Sequence, residues 1–143
     1  MNREILFKAK RKDWKELPKE QWWVEGYYVY CRKRHYILPV LNKAIGFDER
    51  EDEWIEIDPD TLCQYTGLTD KNDKKIWEND ILCGRLDEEY SENITYKKVV
   101  WDMNGFYTKE ECSIDFEPLD EFDAEHFETC GNIFDNPELL EVK

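Results

Sequence analysis

Apolar and polar residues alternate along much of this chain in short runs, and clusters of Asp, Asn, Gly and Pro separate the runs. A period of two punctuated in this way predicts strands joined by turns. From Arg3 to Ala9, Ile5, Phe7 and Ala9 fall on one side and Glu4 and Lys8 on the other, with Leu6 joining the polar side, the pattern of a half-buried first strand. Lys10 to Gln21 is polar and carries Pro18; Trp14 and Leu17 are spaced for a single helical turn within a loop. Trp22 to Tyr30 (WWVEGYYVY) reads as a second strand, in which Gly26 marks a bulge or a close backbone approach. Arg32 to Arg34 is a basic turn. The run that starts at His35 contains Pro39, which argues for a sheet edge or a strand end. Ala44 to Arg50, with Gly46, is a loop, Trp54 to Ile57 a short strand, and Asp58-Pro59-Asp60 a turn.

The most organised stretch runs from Gln64 to Leu82 (QYTGLTDKNDKKIWENDIL). A β-prone run broken by Gly67 leads into the turn residues Thr69 to Asp73. Ile76 and Trp77 resume the apolar pattern, Glu78-Asn79-Asp80 turns again, and Ile81, Leu82 and Cys83 begin a buried strand. Asn72 and Asp73 tolerate the left-handed backbone that two-residue hairpin loops require. The unit predicted is strand, turn, strand, turn, strand.

Beyond it, the acidic loop Asp87 to Asn93 precedes a strand from Ile94 to Trp101, and Asp102 to Gly105 makes a hairpin signal before Phe106 and Tyr107. Cys112 to Leu119 adds a strand ending at Pro118. Asp120 to Thr129 has mixed spacing and reads as either a short helical turn or a solvated loop. At the end, Asn136 can cap, Pro137 suits the first helical position and Glu138 the first turn, which predicts a short C-terminal helix.

The central stretch resembles the signature of the YopX family, proteins encoded by phages and prophages, in which Tyr-Thr-Gly-Leu leads through Asp-Lys-Asn-Gly to Ile-Tyr-Glu-Gly-Asp-Ile. Here the chain reads YTGLTDKNDKKIWENDIL, with Asp73 and Asn79 where the family usually has glycine and Trp77 where tyrosine is commoner. Asp and Asn are the residues that best replace glycine at positive φ, so both departures suit the same backbone. The opening REILFKA, the WWVEGY strand, the IDPDT approach and the closing CGNIFDNPELL are similar too, so the resemblance touches nearly the whole chain. It implies a phage protein of uncharacterised function that self-associates. The fold expected is mainly β: short strands in partly open barrel-like sheets, an SH3-like C-terminal barrel and the short C-terminal helix. One YopX-like domain over 1–143 is expected, with an N-terminal β subdomain over 1–60 and a barrel-like subdomain with its tail over 61–143.

Composition sharpens this in three ways. Aromatics form 15% of the 143 residues, including six Trp and eight Tyr, which suits sheets. The 34 acidic and 20 basic residues give a formal charge of −14, which repels phosphate and disfavours generic nucleic-acid binding. The basic residues gather early, at Lys8, Lys10, Arg11, Lys12 and again at Arg32, Lys33, Arg34, while the last third is acidic; charge runs usually mark solvated faces, here two of opposite sign, and the asymmetry would also suit contact between unlike ends of neighbouring subunits. Cys31, Cys63, Cys83, Cys112 and Cys130 are odd in number, widely separated and without a C-x-x-C pair, and they read as reduced structural thiols of a cytoplasmic protein, whose cytoplasm the resemblance implies to be that of the bacterial host. No stretch approaches the roughly 20 apolar residues of a membrane span.

Candidate chemistry is sparse. Asp70 and Asn72 fit the first and third positions of a calcium loop, but Lys74, Lys75 and Ile81 occupy positions that need an oxygen ligand, a glycine and a bidentate Glu. His126 lies among Glu125, Glu128 and Cys130 without zinc spacing. His35 has no nearby nucleophile, and Glu51-Asp52-Glu53 reflects a chain that is acidic throughout. No catalytic, cofactor or metal residue is expected. The functional expectation is a non-enzymatic structural or interaction module, homo-oligomeric and with a possible host or phage protein partner. The alternative is an acidic mimic of nucleic acid that inhibits a host DNA-binding protein. A hydrolase would need a concave pocket with convergent acids.

Overall fold

Alternation and turn chemistry together build the strands of the computed structural model, which describes residues 5–39, 54–84, 94–102, 105–110 and 116–140. The chain divides into two compact units, residues 1–65 and 66–143, where the sequence had suggested a boundary after residue 60. The expected loops at 44–50 and 87–93, the acidic run 51–53 and most of the strand expected from Cys112 lie outside the described residues.

In the first unit, strands β1 (Phe7–Lys10), β2 (Trp23–Cys31), β3 (Arg34–Pro39), β4 (Ile55–Glu56) and the start of β5 (Cys63–Thr69) pair antiparallel in the order β4-β3-β2-β1-β5. Pro39 is the last described residue of its strand and pairs with Gly26. Ala9, Val24, Ile37 and Ile57 form the buried core, with Phe7, Tyr28, Ile55 and Leu62 packed against it. At about 1.5–3 kcal/mol for each fully buried large side chain, this face favours the sheet strongly. Gly26 is a close approach and not a bulge: the register runs unbroken through it, and an added Cβ would collide with the Leu38 carbonyl.

The first strand differs from its expected pattern. Ile5 is exposed, Leu6 is buried and so is Lys10, at 2% exposure. The reason is that both faces of β1 are covered. The segment after it makes two 3-10 turns, Trp14–Glu16 and Lys19–Gln21, which bring Trp14 and Trp22 edge to face at 4.8 Å. The Lys10 ammonium lies 3.9 Å from the Trp14 ring centroid and 4.5 Å from that of Trp22. A desolvated cation over an indole face gains about 2 kcal/mol, which helps to offset the burial of the charge. The backbone is fixed as well: Lys10 N–H donates to Thr61 Oγ1 at 2.8 Å, and its carbonyl accepts from Asp58 N–H at 2.9 Å.

In the second unit, the rest of β5 is hydrogen-bonded to β6 (Lys75–Trp77). The strands β7 (Asp80–Gly84), β8 (Thr95–Asp102), β9 (Gly105–Glu110), β10 (Glu117–Pro118) and β11 (Phe127–Asn132) form an antiparallel sheet of order β10-β9-β8-β7-β11. No pairing joins β10 to β11 among the described residues, so the sheet is open and no closed barrel forms. The Asp102 to Gly105 hairpin forms as expected, with Asp102 opposite Gly105. A six-residue helix, α1 (Glu121–His126), takes up the ambiguous segment and is closed by a capping box between Asp120 and Asp123. The tail helix is a 3-10 turn, Pro137–Leu140. Strand β11 has no counterpart in the sequence reading. Its residues, FETCGN, do not alternate, and its register shifts between Thr129 and Gly131. Gly84 lies opposite Phe127, whose ring occupies the space that a side chain there would need. Ile76, Leu82, Val99 and Phe127 make the core.

The central signature has a physical meaning here. Asp70 is 3% exposed, and its carboxylate accepts three backbone N–H groups: Asn72 at 2.8 Å and Lys74 at 3.0 Å on Oδ1, and Thr129 at 2.8 Å on Oδ2. It shapes the turn and ties it to β11. Burial alone would raise this carboxyl, but the N–H groups of Thr129, Lys74 and Asn72 outweigh it and hold it below the ordinary value of 3.8. Asp73 (φ 64°) and Asn79 (φ 73°) occupy the left-handed conformation, the two positions at which Asp and Asn stand in for glycine. The first turn is wider than the expected two-residue loop: Asp70 N–H donates to the Lys74 carbonyl at 2.7 Å, and Asn72 is not left-handed. Asp80 repeats the device one turn later, accepting Trp77 N–H at 2.8 Å.

A buried ion pair anchors α1. Lys97 Nζ lies 3.4 Å from Asp123 Oδ1 and 4.8 Å from the Phe127 ring centroid. Burial raises the Asp123 carboxyl above its ordinary value, more than the Lys97 ammonium lowers it.

Two outcomes follow. Asp70→Asn should cost about 2–3 kcal/mol at neutral pH, because one of the two acceptor oxygens becomes a donor facing N–H groups. Asp70 contributes its stability above the unfolded carboxyl value and loses it as pH falls through the lower folded one. In urea unfolding, the gap between variant and native protein should therefore hold down to about pH 4 and narrow below it; a gap independent of pH would refute the assignment. Lys97→Met should cost about 3 kcal/mol at pH 7, because it leaves Asp123 charged without its partner. The raised Asp123 value means that the folded state holds its proton to higher pH, so this variant should regain stability as pH is lowered toward 4.

Candidate interaction site

The β2–β3 hairpin carries the most unusual backbone of the first unit. Cys31 pairs with Arg34, which leaves a two-residue loop of Arg32 (φ 52°) and Lys33 (φ 66°). Positive φ at both positions defines a type I′ turn, which Asn-Gly makes at ease. A long L side chain held there costs about 1–2 kcal/mol, and this loop has two in succession. Arg32, Lys33 and Arg34 are all exposed. Arg34 Nη1 lies 3.8 Å from Glu56, which also binds Lys12 Nζ at 3.2 Å, while Arg32 and Lys33 form no ion pair among the described residues.

Aromatic rings flank this tip. Tyr30, 60% exposed, lies 5.0 Å from the His35 ring opposite it, and His35 stacks in turn on Tyr28, whose hydroxyl hydrogen-bonds to His35 Nδ1. Tyr27 is exposed on the other face. His35 is thus held as one layer of an aromatic stack. On the same unit a cleft of about 710 Å³ is lined by Arg11, Lys12, Trp14, Lys15, Glu56 and Asp58, among others, and the Trp14 indole N–H points to Asp58 Oδ2 at 3.4 Å.

The second unit carries nearly all of the chain's net negative charge. Residues 1–65 hold 12 Lys and Arg against 13 Asp and Glu, while residues 66–143 hold 8 against 21, a net −13. Glu110, Glu117, Asp120 and Asp123 converge on a pocket of about 480 Å³ that also takes in Lys97, Pro118 and the half-exposed Phe122. A hydrolase would need a concave arrangement of acids, yet three of these four are engaged in structure, Glu117 through Lys97 Nζ at 3.8 Å. Asp120 Oδ1 accepts Asp123 N–H at 3.2 Å, and Asp123 binds both Asp120 N–H and Lys97.

The other residues weighed in the sequence fall into structural roles. The Asp70 carboxylate is turned onto backbone N–H groups, which removes the first ligand of a calcium loop. His126 Nδ1 meets the Phe122 carbonyl at 2.9 Å, and its ring stacks on Phe122 at 4.2 Å. Among the described residues no three His, Cys, Asp or Glu side chains are grouped to hold a metal ion. Cys31, Cys63, Cys83 and Cys130 are free thiols, and Cys63 is buried. The Cys130 thiol is pushed up to about 12 by burial and by its hydrogen bond with Cys83, which keeps it protonated and unreactive. No helix among the described residues is long and apolar enough to cross a membrane.

Sequence reasoning found the basic turn but not its conformation. Cys-Arg-Lys-Arg between two aromatic strands has no glycine or asparagine to announce a type I′ loop.

A solved structure of protein EF1440 from Enterococcus faecalis is similar to this chain with a TM-score of 0.54 at 21% identity, over 98% of this chain and 100% of that one. At that identity the likeness concerns the fold. No curated protein matches. The sequence matches the family described as YopX protein over residues 14–141, which take in Trp14 and Trp22, the strained hairpin and the Asp70 turn. The chain belongs to the YopX family.

Proposed function

We propose that this chain is a phage or prophage protein that acts in the bacterial cytoplasm as a non-enzymatic interaction module and associates with copies of itself. The observation that carries the reading is the uneven charge: a nearly neutral first unit with an exposed cationic tip, and a second unit of net −13. Unlike surfaces on one chain attract between copies, and a heterologous contact of that kind repeats into rings or filaments. The exposed Tyr27, Tyr30, Trp101, Phe116 and Phe122 supply apolar area for such contacts, and aromatic residues are enriched where interfaces form. The engagement of Asp120 and Asp123 in structure weighs against reading the acidic pocket as a site of acid–base chemistry. The SH3-like character expected for the C-terminal half belongs to the same reading: a small sheet with an exposed rim, used to bind protein.

Light scattering at low and high salt should find an oligomer at micromolar concentration. It should weaken as salt screens the charges without dissociating completely, since apolar burial is unscreened. A monomer at moderate salt would refute self-association. A monomer that instead binds the basic groove of a host DNA-binding protein would favour the nucleic-acid mimic.

A further inference from the structure

We infer that the Arg32–Lys33 tip of the β2–β3 hairpin is a contact finger that seats on the acidic unit, residues 66–143, of a second copy of this chain. The inference rests on the self-association proposed above and names the element that drives it. Three observations carry it. First, the loop places two long cationic residues in succession where the backbone favours asparagine and glycine, at φ 52° and 66°. Such strain persists where the side chains serve something other than the turn. Second, both ammonium and guanidinium groups are exposed and without ion pairs among the described residues, whereas the neighbouring Arg34 and Lys12 both reach Glu56. Third, Tyr30 stands 60% exposed two residues before the tip, and Tyr27 is exposed farther along the same strand on its other face. A cationic tip backed by rigid aromatic area has the composition of an interface anchor, in which Arg and Tyr dominate the energy.

The partner follows from charge. The unit that bears the finger is nearly neutral, with 12 basic and 13 acidic residues, while residues 66–143 of a second copy carry net −13 and are the anionic surface that the chain itself supplies. That surface also brings its own cations and exposed apolar side chains to the contact. A finger of one copy on the acidic unit of the next is a heterologous contact, so each copy both gives and receives.

The test is the double variant Arg32→Asn/Lys33→Gly, which removes the two charges and installs the residues that a type I′ turn prefers. Arg34 is left in place with Glu56. Thermal unfolding should show a Tm that is unchanged or a few degrees higher, so that lost association cannot be ascribed to lost folding. Sedimentation or light scattering at low salt should show self-association weakened at least tenfold, and the exchange variant Arg32→Lys/Lys33→Arg should keep it. An oligomer that persists unchanged in the Asn-Gly variant overturns the finger while leaving self-association intact. A native protein that is monomeric at both salt concentrations overturns both. Finger-dependent binding to heparin by a monomeric native protein overturns the second copy as the partner, in favour of a polyanion.

Discussion

The carboxylate of Asp70 is the fixed point of the second unit. It sits at the end of β5, closes the turn to β6 through two backbone N–H groups, and reaches Thr129 on the far strand β11 with its other oxygen. A buried carboxylate with three N–H donors aimed at it is stabilised by them and fixes the backbone segments that carry them in return. The turn that leads into β6 and the strand that borders β7 are therefore positioned by one side chain. The resemblance to the family's central motif acquires a cause in this contact: an aspartate at this position does what no neutral residue of similar size can do.

The first unit solves a different problem. Its first strand is covered on both faces, and one of the covered positions is a lysine. The two short turns that follow deliver Trp14 and Trp22 to that ammonium, and the Asp58 to Thr61 segment holds its backbone. What reads as a polar loop between two strands is the lid of the sheet. Its sequence is polar because its two indoles do the covering while the other side chains stay in water.

These cases separate what a sequence displays from what it conceals. Strands β2, β3 and β8 and the strand–turn–strand rhythm of residues 63–84 were legible because alternation and turn residues are local signals. Asp73 and Asn79 were legible because only a few residues tolerate positive φ. Lys10 was not, since a buried cation announces itself only through the rings that reach it from other parts of the chain. Strand β11 was hidden because its partner β7 imposes the extended form on a segment with a bulge and no alternation, a tertiary effect that overrides propensity. Asp70 read as an ordinary turn residue, which it is; its second oxygen bonds a group 59 residues away. The basic tip was visible as charge but not as strain, so the candidate site could be located in the sequence and not understood from it.

The span of that last bond also bears on how the protein is made. The hairpins β2–β3 and β8–β9 pair strands that follow one another directly in the chain and can form as soon as those strands exist. Strand β7 must wait for β11, and Asp70 for Thr129. At a synthesis rate of about 5–20 residues per second, the 59 residues between the two take roughly 3–12 s to appear. Through that interval the nascent chain presents an unpaired strand edge bearing Ile81 and Leu82, the kind of edge that neighbouring chains can pair with. The dense negative charge of residues 66–143 spans the same period and the same stretch, so on the ribosome it keeps unfinished copies apart.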